Sequence, residues 1–101
     1  MPKVGEKFIC GGREFWCIRV DGDNGSASMV SGAAVIHAPL STFEENFKQV
    51  GALESGYSYT AKNSGKGVVA GKEYMVTGVS ADRVLLDKTM PLSLMAFAAL
   101  F

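Results

Sequence analysis

Length, composition and charge set the first limits on this chain. It has 101 residues, of which 48% are hydrophobic and 20% are charged, with ten basic and ten acidic side chains. This composition is typical of a globular protein rather than a disordered one. The balanced charge excludes both the broad positive field of a non-specific nucleic-acid binder and the dense negative surface of a DNA mimic.

The terminal segments and the cysteines indicate where the protein is expected to reside. The first residues lack the apolar run that a signal peptide needs. The most hydrophobic stretch, residues 90–101, is shorter than the roughly 20 apolar residues that span a bilayer. Cys10 and Cys17 are expected to be free thiols in a reducing compartment. We therefore expect a cytoplasmic protein with no membrane segment.

An internal duplication is the strongest pattern in the sequence. The segment Gly12–Val20 recurs as Gly71–Val79, and extending the register without a gap pairs Ile9 with Val68. Further along, Pro39-Leu40-Ser41 recurs at residues 91–93, with a phenylalanine after each block. These matches predict two tandem repeats at residues 1–50 and 67–101. Residues 51–66 are expected to form a linker that contains a short strand within 56–61.

In chain order, the first repeat is predicted to contain strands at residues 7–10, 14–20, 26–30 and 34–37. Glycine pairs and the Asp23-Asn24-Gly25 sequence predict the tight turns between them. A capping box from Ser41 to Glu44 predicts a helix with Phe43 and Phe47 on one face.

The second repeat is predicted to contain strands at residues 68–70 and 73–79 and a helix capped by Ser93. The long strand at 14–20 carries apolar residues on both faces, because Phe15 and Cys17 alternate with Trp16 and Ile18. Such a strand must be covered on both sides. This favours two repeats that pack together.

Motifs that would carry chemistry are incomplete. Asp21–Gly25 resembles the start of a calcium loop but lacks the later oxygen ligands, so a hairpin turn is the better interpretation. Cys10, Cys17 and His37 lack the ligand number and spacing of a structural zinc site. We predict no catalytic residue, metal or cofactor. His37 is the only histidine, so a small enzyme, the third alternative, would depend on it.

Three groups of residues are candidates for binding a partner. A region of aromatic and polar side chains, expected to be exposed, would bind a protein: Trp16, Asp21, Asp23, Asn24, Tyr57 and Tyr59. Basic residues would form an alternative single-stranded nucleic-acid surface: Lys62, Lys66, Lys72 and Arg83. The apolar C-terminal residues would either fill the core between the repeats or form a homodimer surface: Leu94, Met95, Phe97, Leu100 and Phe101.

Three features of the sequence occur together. They are the glycine-turn hairpin, the strand of the form Gly12-Arg13-Glu14-Phe15 that ends at Val20, and the closing Pro39-Leu40-Ser41 helix. In these features the chain resembles small SH3-like β-barrel proteins of phages, prophages and plasmids. The resemblance implies a mainly β fold with short helices, built as two tandem SH3-like barrel repeats packed together. It also implies a non-enzymatic protein-interaction module, acting as an accessory or host-antagonising factor of a mobile element. A weak single-stranded nucleic-acid binder is the alternative.

Overall fold

The computed structural model describes residues 1–80 and 82–101. These residues form nine β-strands and two short α-helices, which confirms the prediction of a mainly β fold with short helices. They divide into two compact units, Met1–Leu53 and Glu54–Phe101. No helix within the described ranges is both long and apolar enough to cross a membrane.

The first unit is one antiparallel sheet with a short helix before its last strand. Its elements are β1 (Glu6–Cys10), β2 (Arg13–Asp21), β3 (Ser26–Ser31), β4 (Ala34–Pro39), a 3-10 turn (Leu40–Thr42), α1 (Phe43–Asn46) and β5 (Lys48–Ala52). The strand order is β4-β3-β2-β1-β5. Gly11 and Gly12 form the predicted two-residue turn, with φ of 59° and 79° that a residue with a side chain rarely adopts.

The second unit is a smaller antiparallel sheet that ends in a helix. Its elements are β6 (Ser58–Thr60), β7 (Glu73–Ser80), β8 (Arg83–Leu86), β9 (Met90–Ser93) and α2 (Leu94–Leu100), with the sheet order β6-β7-β8-β9. A long loop, residues 61–72, joins β6 to β7. The backbone N–H groups of Lys62 and Asn63 both donate to the carbonyl of Leu100, at 2.7 and 3.1 Å, so this loop satisfies an open carbonyl at the end of α2.

The two units share the same arrangement of aromatic rings. In the first, Phe43 and Phe47 are stacked at 4.6 Å between centroids, and in the second Phe97 and Phe101 are stacked at 4.5 Å. Each stacked pair meets one ring from each of the first two strands of its unit, edge to face. The four edge-to-face contacts are Phe8–Phe43, Phe15–Phe47, Tyr59–Phe97 and Tyr74–Phe101. Aromatic pairs in this geometry add about 0.5–1.5 kcal/mol to the burial of their area.

The register of the strands shows the same correspondence between the two units as the aromatic rings do. The β2–β3 ladder is irregular between Cys17 and Arg19, and the β7–β8 ladder is irregular between Val76 and Gly78. These positions match in the register that pairs Gly12 with Gly71. A bulge at the same place bends both strands alike, which supports a duplicated module.

Three details of the predicted repeat are wrong. Residues 68–70 form no strand, and Val68 contributes only an isolated bridge to Gly65. The strand equivalent to β1 is β6 instead, because Phe8 faces Phe15 in the way that Tyr59 faces Tyr74. The Pro-Leu-Ser blocks are also out of register by two residues, since Pro39 pairs with the first residue of β3 and Ser93 with the first residue of β8.

The predicted helix caps have different outcomes. Ser93 accepts a hydrogen bond at 3.1 Å from the backbone N–H of Ala96, as expected for a helix cap. The predicted capping box in the first unit is wrong, because the 3-10 turn precedes α1 and Thr42 makes no side-chain cap. The expected closed barrels are also absent from the described residues, where both sheets are open.

Candidate protein-interaction surface

The predicted aromatic surface does not form around Trp16. This side chain is only 4% exposed, so the expectation that it is exposed is wrong. Trp16 lies opposite Lys7 in the β1–β2 ladder, and the Lys7 ammonium lies 5.1 Å from the centre of the indole ring. The burial agrees with the other prediction for this strand, that both of its faces are covered.

The Asp21–Asn24 segment of the first unit is a hairpin turn held by a carboxylate. Asp21 accepts hydrogen bonds from the backbone N–H groups of Asp23 and Asn24 at 3.1 and 3.2 Å, and from the Asn24 side-chain amide at 2.7 Å. These donors lower the pKa of the Asp21 carboxyl, with the Asn24 backbone N–H as the largest cause. The carboxylate oxygens are thus used within the turn, as the hairpin interpretation predicted.

Tyr57 and Tyr59 belong to the second unit and differ in exposure. Tyr57 is 60% exposed and precedes β6. Tyr59 is half-buried and packs its ring against Phe97 at 5.8 Å. Only Tyr57 of the predicted aromatic residues therefore presents most of its ring to a partner.

The predicted basic residues all lie in the second unit. Lys62, Lys66, Lys72 and Arg83 are exposed. The Lys72 ammonium lies 5.3 Å from the centre of the Tyr74 ring, which is itself buried. Since Tyr74 lies in the core, its ring is covered and does not offer a stacking platform for a base.

The apolar C-terminal segment is core for the most part. Leu94, Phe97, Leu100 and Phe101 are each at most 8% exposed, so these four side chains are buried. Met95, on the other side of α2, is 47% exposed. The amphipathic arrangement follows from helical spacing, because residues three and four apart share the buried face.

His37 lies on the outer face of the first sheet beside Ser28. The Ser28 hydroxyl oxygen and His37 Nδ1 are 3.1 Å apart across the β3–β4 ladder. A serine mechanism also needs a third group that orients the imidazole. Within the described ranges, no carboxylate is hydrogen-bonded to this ring. Among the described residues, the Ser28–His37 pair therefore lacks the third group that would orient the imidazole.

The cysteines do not converge with His37. Cys10 is half-buried, and Cys17 is fully buried in the core of the first unit. Burial raises the pKa of the Cys17 thiol to about 11, so the side chain stays protonated near neutral pH. Among the described residues, no group of three or more His, Cys, Asp or Glu side chains is arranged to hold a metal ion.

The most informative feature is a row of three residues that crosses one face of each sheet, opposite the neighbouring core residues of the same strands. In the first unit, the ladder aligns Arg19, Ser28 and His37. In the second unit, the equivalent ladder aligns Gly78, Leu85 and Pro91. The row is polar in one copy and apolar in the other.

The apolar row of the second unit lines a shallow cleft of about 360 Å³. A Cβ at position 78 would lie 3.5 Å from Leu85 Cβ, so Gly78 leaves that flank of Leu85 open, and Pro91 also lines the cleft. Val79, which is 45% exposed, and the exposed Arg83 also line the cleft. The cleft can bury an apolar side chain of a partner and offers one cation to an acidic group beside it.

Sequence reasoning identified Arg83 but missed Gly78, Leu85 and Pro91. A signal was present, because Val84-Leu85-Leu86 is a continuous apolar run in which alternate side chains must point to opposite faces. One of these leucines therefore has to lie outside the core unless something covers that face. The Pro-Leu-Ser match obscured this, because it treated Pro91 as part of the segment that leads into the Ser93-capped helix, and no strand was predicted there.

The comparisons with known proteins identify no relative. No protein-family model matches the chain, and neither a curated protein nor a solved structure is significantly similar to it.

Proposed function

We propose that the chain is a non-enzymatic protein-interaction module that binds its partner through the Gly78–Leu85–Pro91 row. We further propose a tandem SH3-like architecture, action in the cytoplasm, and a role as an accessory or host-antagonising factor of a phage or other mobile element. The order of elements in the first unit supports the SH3-like resemblance. There, consecutive antiparallel strands are followed by a 3-10 turn, and the last strand returns to pair with the first.

The observation that carries the binding proposal is the difference between the two copies. The same strands with the same bulge carry Arg19, Ser28 and His37 in the first unit, so the module folds with polar side chains at these positions. The apolar residues Leu85 and Pro91 are therefore not required by the sheet itself. Leu85 is half-buried and Pro91 is exposed. Apolar groups that reach the surface and that a fold does not need are typical of binding surfaces.

The test replaces the apolar row by residues that the same module already tolerates. Leu85→Ser with Pro91→His gives the second unit the side chains of Ser28 and His37. Tagged wild-type and variant proteins are used to isolate partners from the native host after nuclease treatment. We expect the variant to bind a purified partner at least tenfold more weakly, which corresponds to about 1.4 kcal/mol.

The matched control is Arg19→Ala with His37→Ala, which changes the equivalent row of the first unit and should leave partner affinity within twofold. Circular dichroism checks that all variants are folded. Equal affinity of the Leu85→Ser, Pro91→His variant and the wild type would refute the proposed surface. Loss of all bound material on nuclease treatment, with salt-dependent oligonucleotide binding, would instead favour the nucleic-acid alternative through Lys62, Lys66 and Lys72.

A further inference from the structure

β6 is an edge strand with backbone groups directed away from its sheet. The carbonyl of Tyr57 accepts from the Val76 N–H at 2.9 Å, and Ala61 exchanges hydrogen bonds with Lys72 and Gly71, just before β7. Because these directions alternate along a strand, Ser58 and Thr60 point their N–H and C=O groups to the other side. Within residues 1–80 and 82–101, no strand pairs with that side of β6.

In the first unit, the equivalent of the open side of β6 is paired with another strand. There, β1 occupies the place of β6, and β5 pairs antiparallel with its outer side. In the second unit, Ser58 and Thr60 are exposed at the equivalent edge. Natural edge strands are commonly protected by short length, a lysine, a proline or a bulge. β6 is short, at three residues, but it carries neither a lysine nor a proline, whereas the opposite edge strand, β9, contains Pro91.

We propose that β6 pairs antiparallel with β6 of a second copy of this chain. A two-fold axis at Tyr59 places Ser58 of each copy opposite Thr60 of the other. Both residues direct their free backbone groups outward, so each pair can exchange two N–H···O=C bonds. The two sheets then become one continuous sheet.

The charge and the flanking residues favour a second copy as the occupant. The chain has a formal net charge of zero at pH 7, so two copies do not repel each other strongly. Residues 57–60 carry no charged side chain. Tyr57 directly precedes β6 and is 60% exposed, so an added strand can remove part of its apolar surface from water.

This inference goes beyond the proposed function, because it depends on the β6 edge and not on the Gly78–Leu85–Pro91 row. The proposed binding row and the proposed β6 dimer can therefore be refuted independently of each other. Changing Thr60 tests self-association and leaves the row intact, and changing Leu85 and Pro91 does the reverse.

The test measures molar mass by sedimentation equilibrium over a wide concentration range. We expect the wild type to dimerise, and Thr60→Pro to raise the dimer dissociation constant at least tenfold. Proline removes only an N–H that points away from β7, which is where edge strands accept proline. Thr60→Val, which keeps the N–H and the β-branch, is the matched control and should dimerise like the wild type.

Two results would overturn the proposal: a wild type that stays monomeric at every concentration, or a dimer that Thr60→Pro leaves unchanged. If circular dichroism shows that Thr60→Pro is unfolded, Thr60→Lys replaces it, because a charge on the edge opposes pairing without changing the backbone. A monomeric wild type whose bound partner is lost on Thr60→Pro would reject the homodimer and assign the edge to a strand of that partner.

Discussion

Replacing Phe97 with alanine should lower the free energy of unfolding of the second unit by about 3–5 kcal/mol. Phe97 is fully buried, is stacked on Phe101 at 4.5 Å and meets Tyr59 edge to face at 5.8 Å. Removing the ring leaves a cavity and ends both aromatic contacts. Urea denaturation of the full chain, monitored by tyrosine fluorescence and circular dichroism, measures the change.

Met95 provides the matched control for this experiment. It lies on the same helix and is 47% exposed, so Met95→Ala should change the stability by less than about 0.5 kcal/mol. Similar losses from the two alanine variants would show that α2 does not pack as described. They would also favour the alternative in which the apolar C-terminal residues form a homodimer surface.

Replacing Phe43 with alanine should destabilise the first unit by a similar amount, about 3–5 kcal/mol. Phe43 is 3% exposed, is stacked on Phe47 at 4.6 Å and meets Phe8 edge to face at 4.9 Å. It occupies the same place in its unit as Phe97 does in the second. The equivalence of the two copies thus predicts equivalent losses, measured by the same denaturation experiment.

Glu44 provides the matched control for Phe43→Ala in the first unit. It follows Phe43 in α1, and its exposed carboxylate lies 3.3 Å from the N-terminal ammonium. Exposed ion pairs contribute little, so Glu44→Ala should change the stability by less than about 1 kcal/mol. A loss below 1 kcal/mol for Phe43→Ala would contradict the duplicated aromatic core.

Local patterns in the sequence predicted the hairpins of the first unit correctly. Gly11-Gly12 and Asp23-Asn24-Gly25 determine their turns through residues that tolerate positive φ or hydrogen-bond within the turn. The long strands β2 and β7 were predicted by their aromatic and β-branched residues. Each of these inferences depends on interactions between residues that are close in sequence.

The strand equivalent to β1 was misplaced because loop length is not encoded in a strand pattern. The turn between β1 and β2 is Gly11-Gly12, but the equivalent connection in the second unit is the loop at residues 61–72. Extending the repeat without a gap therefore moved the strand to residues 68–70. Surface loops accept such insertions at a small entropic cost, so a duplicated fold can preserve its sheet and lose its sequence register.

Two expectations for Trp16 were incompatible, and the periodicity argument was the correct one. A strand that is apolar on both faces requires cover for Trp16, whereas the proposed aromatic surface required it to be exposed. The Gly78–Leu85–Pro91 row was missed for a related reason. Its members Gly78, Leu85 and Pro91 come from three strands, and only the ladder register places them side by side.

We infer that one module occurs twice in this chain, with β6 as the counterpart of β1. Through-space NMR contacts in the full chain test this inference. We expect Hα–Hα contacts from Ser58 to Met75 and from Thr60 to Glu73, and ring contacts from Tyr59 to Phe97 that parallel those from Phe8 to Phe43. Hα–Hα contacts that place residues 68–70 opposite the start of β7, with Tyr59 remote from Phe97, would contradict it.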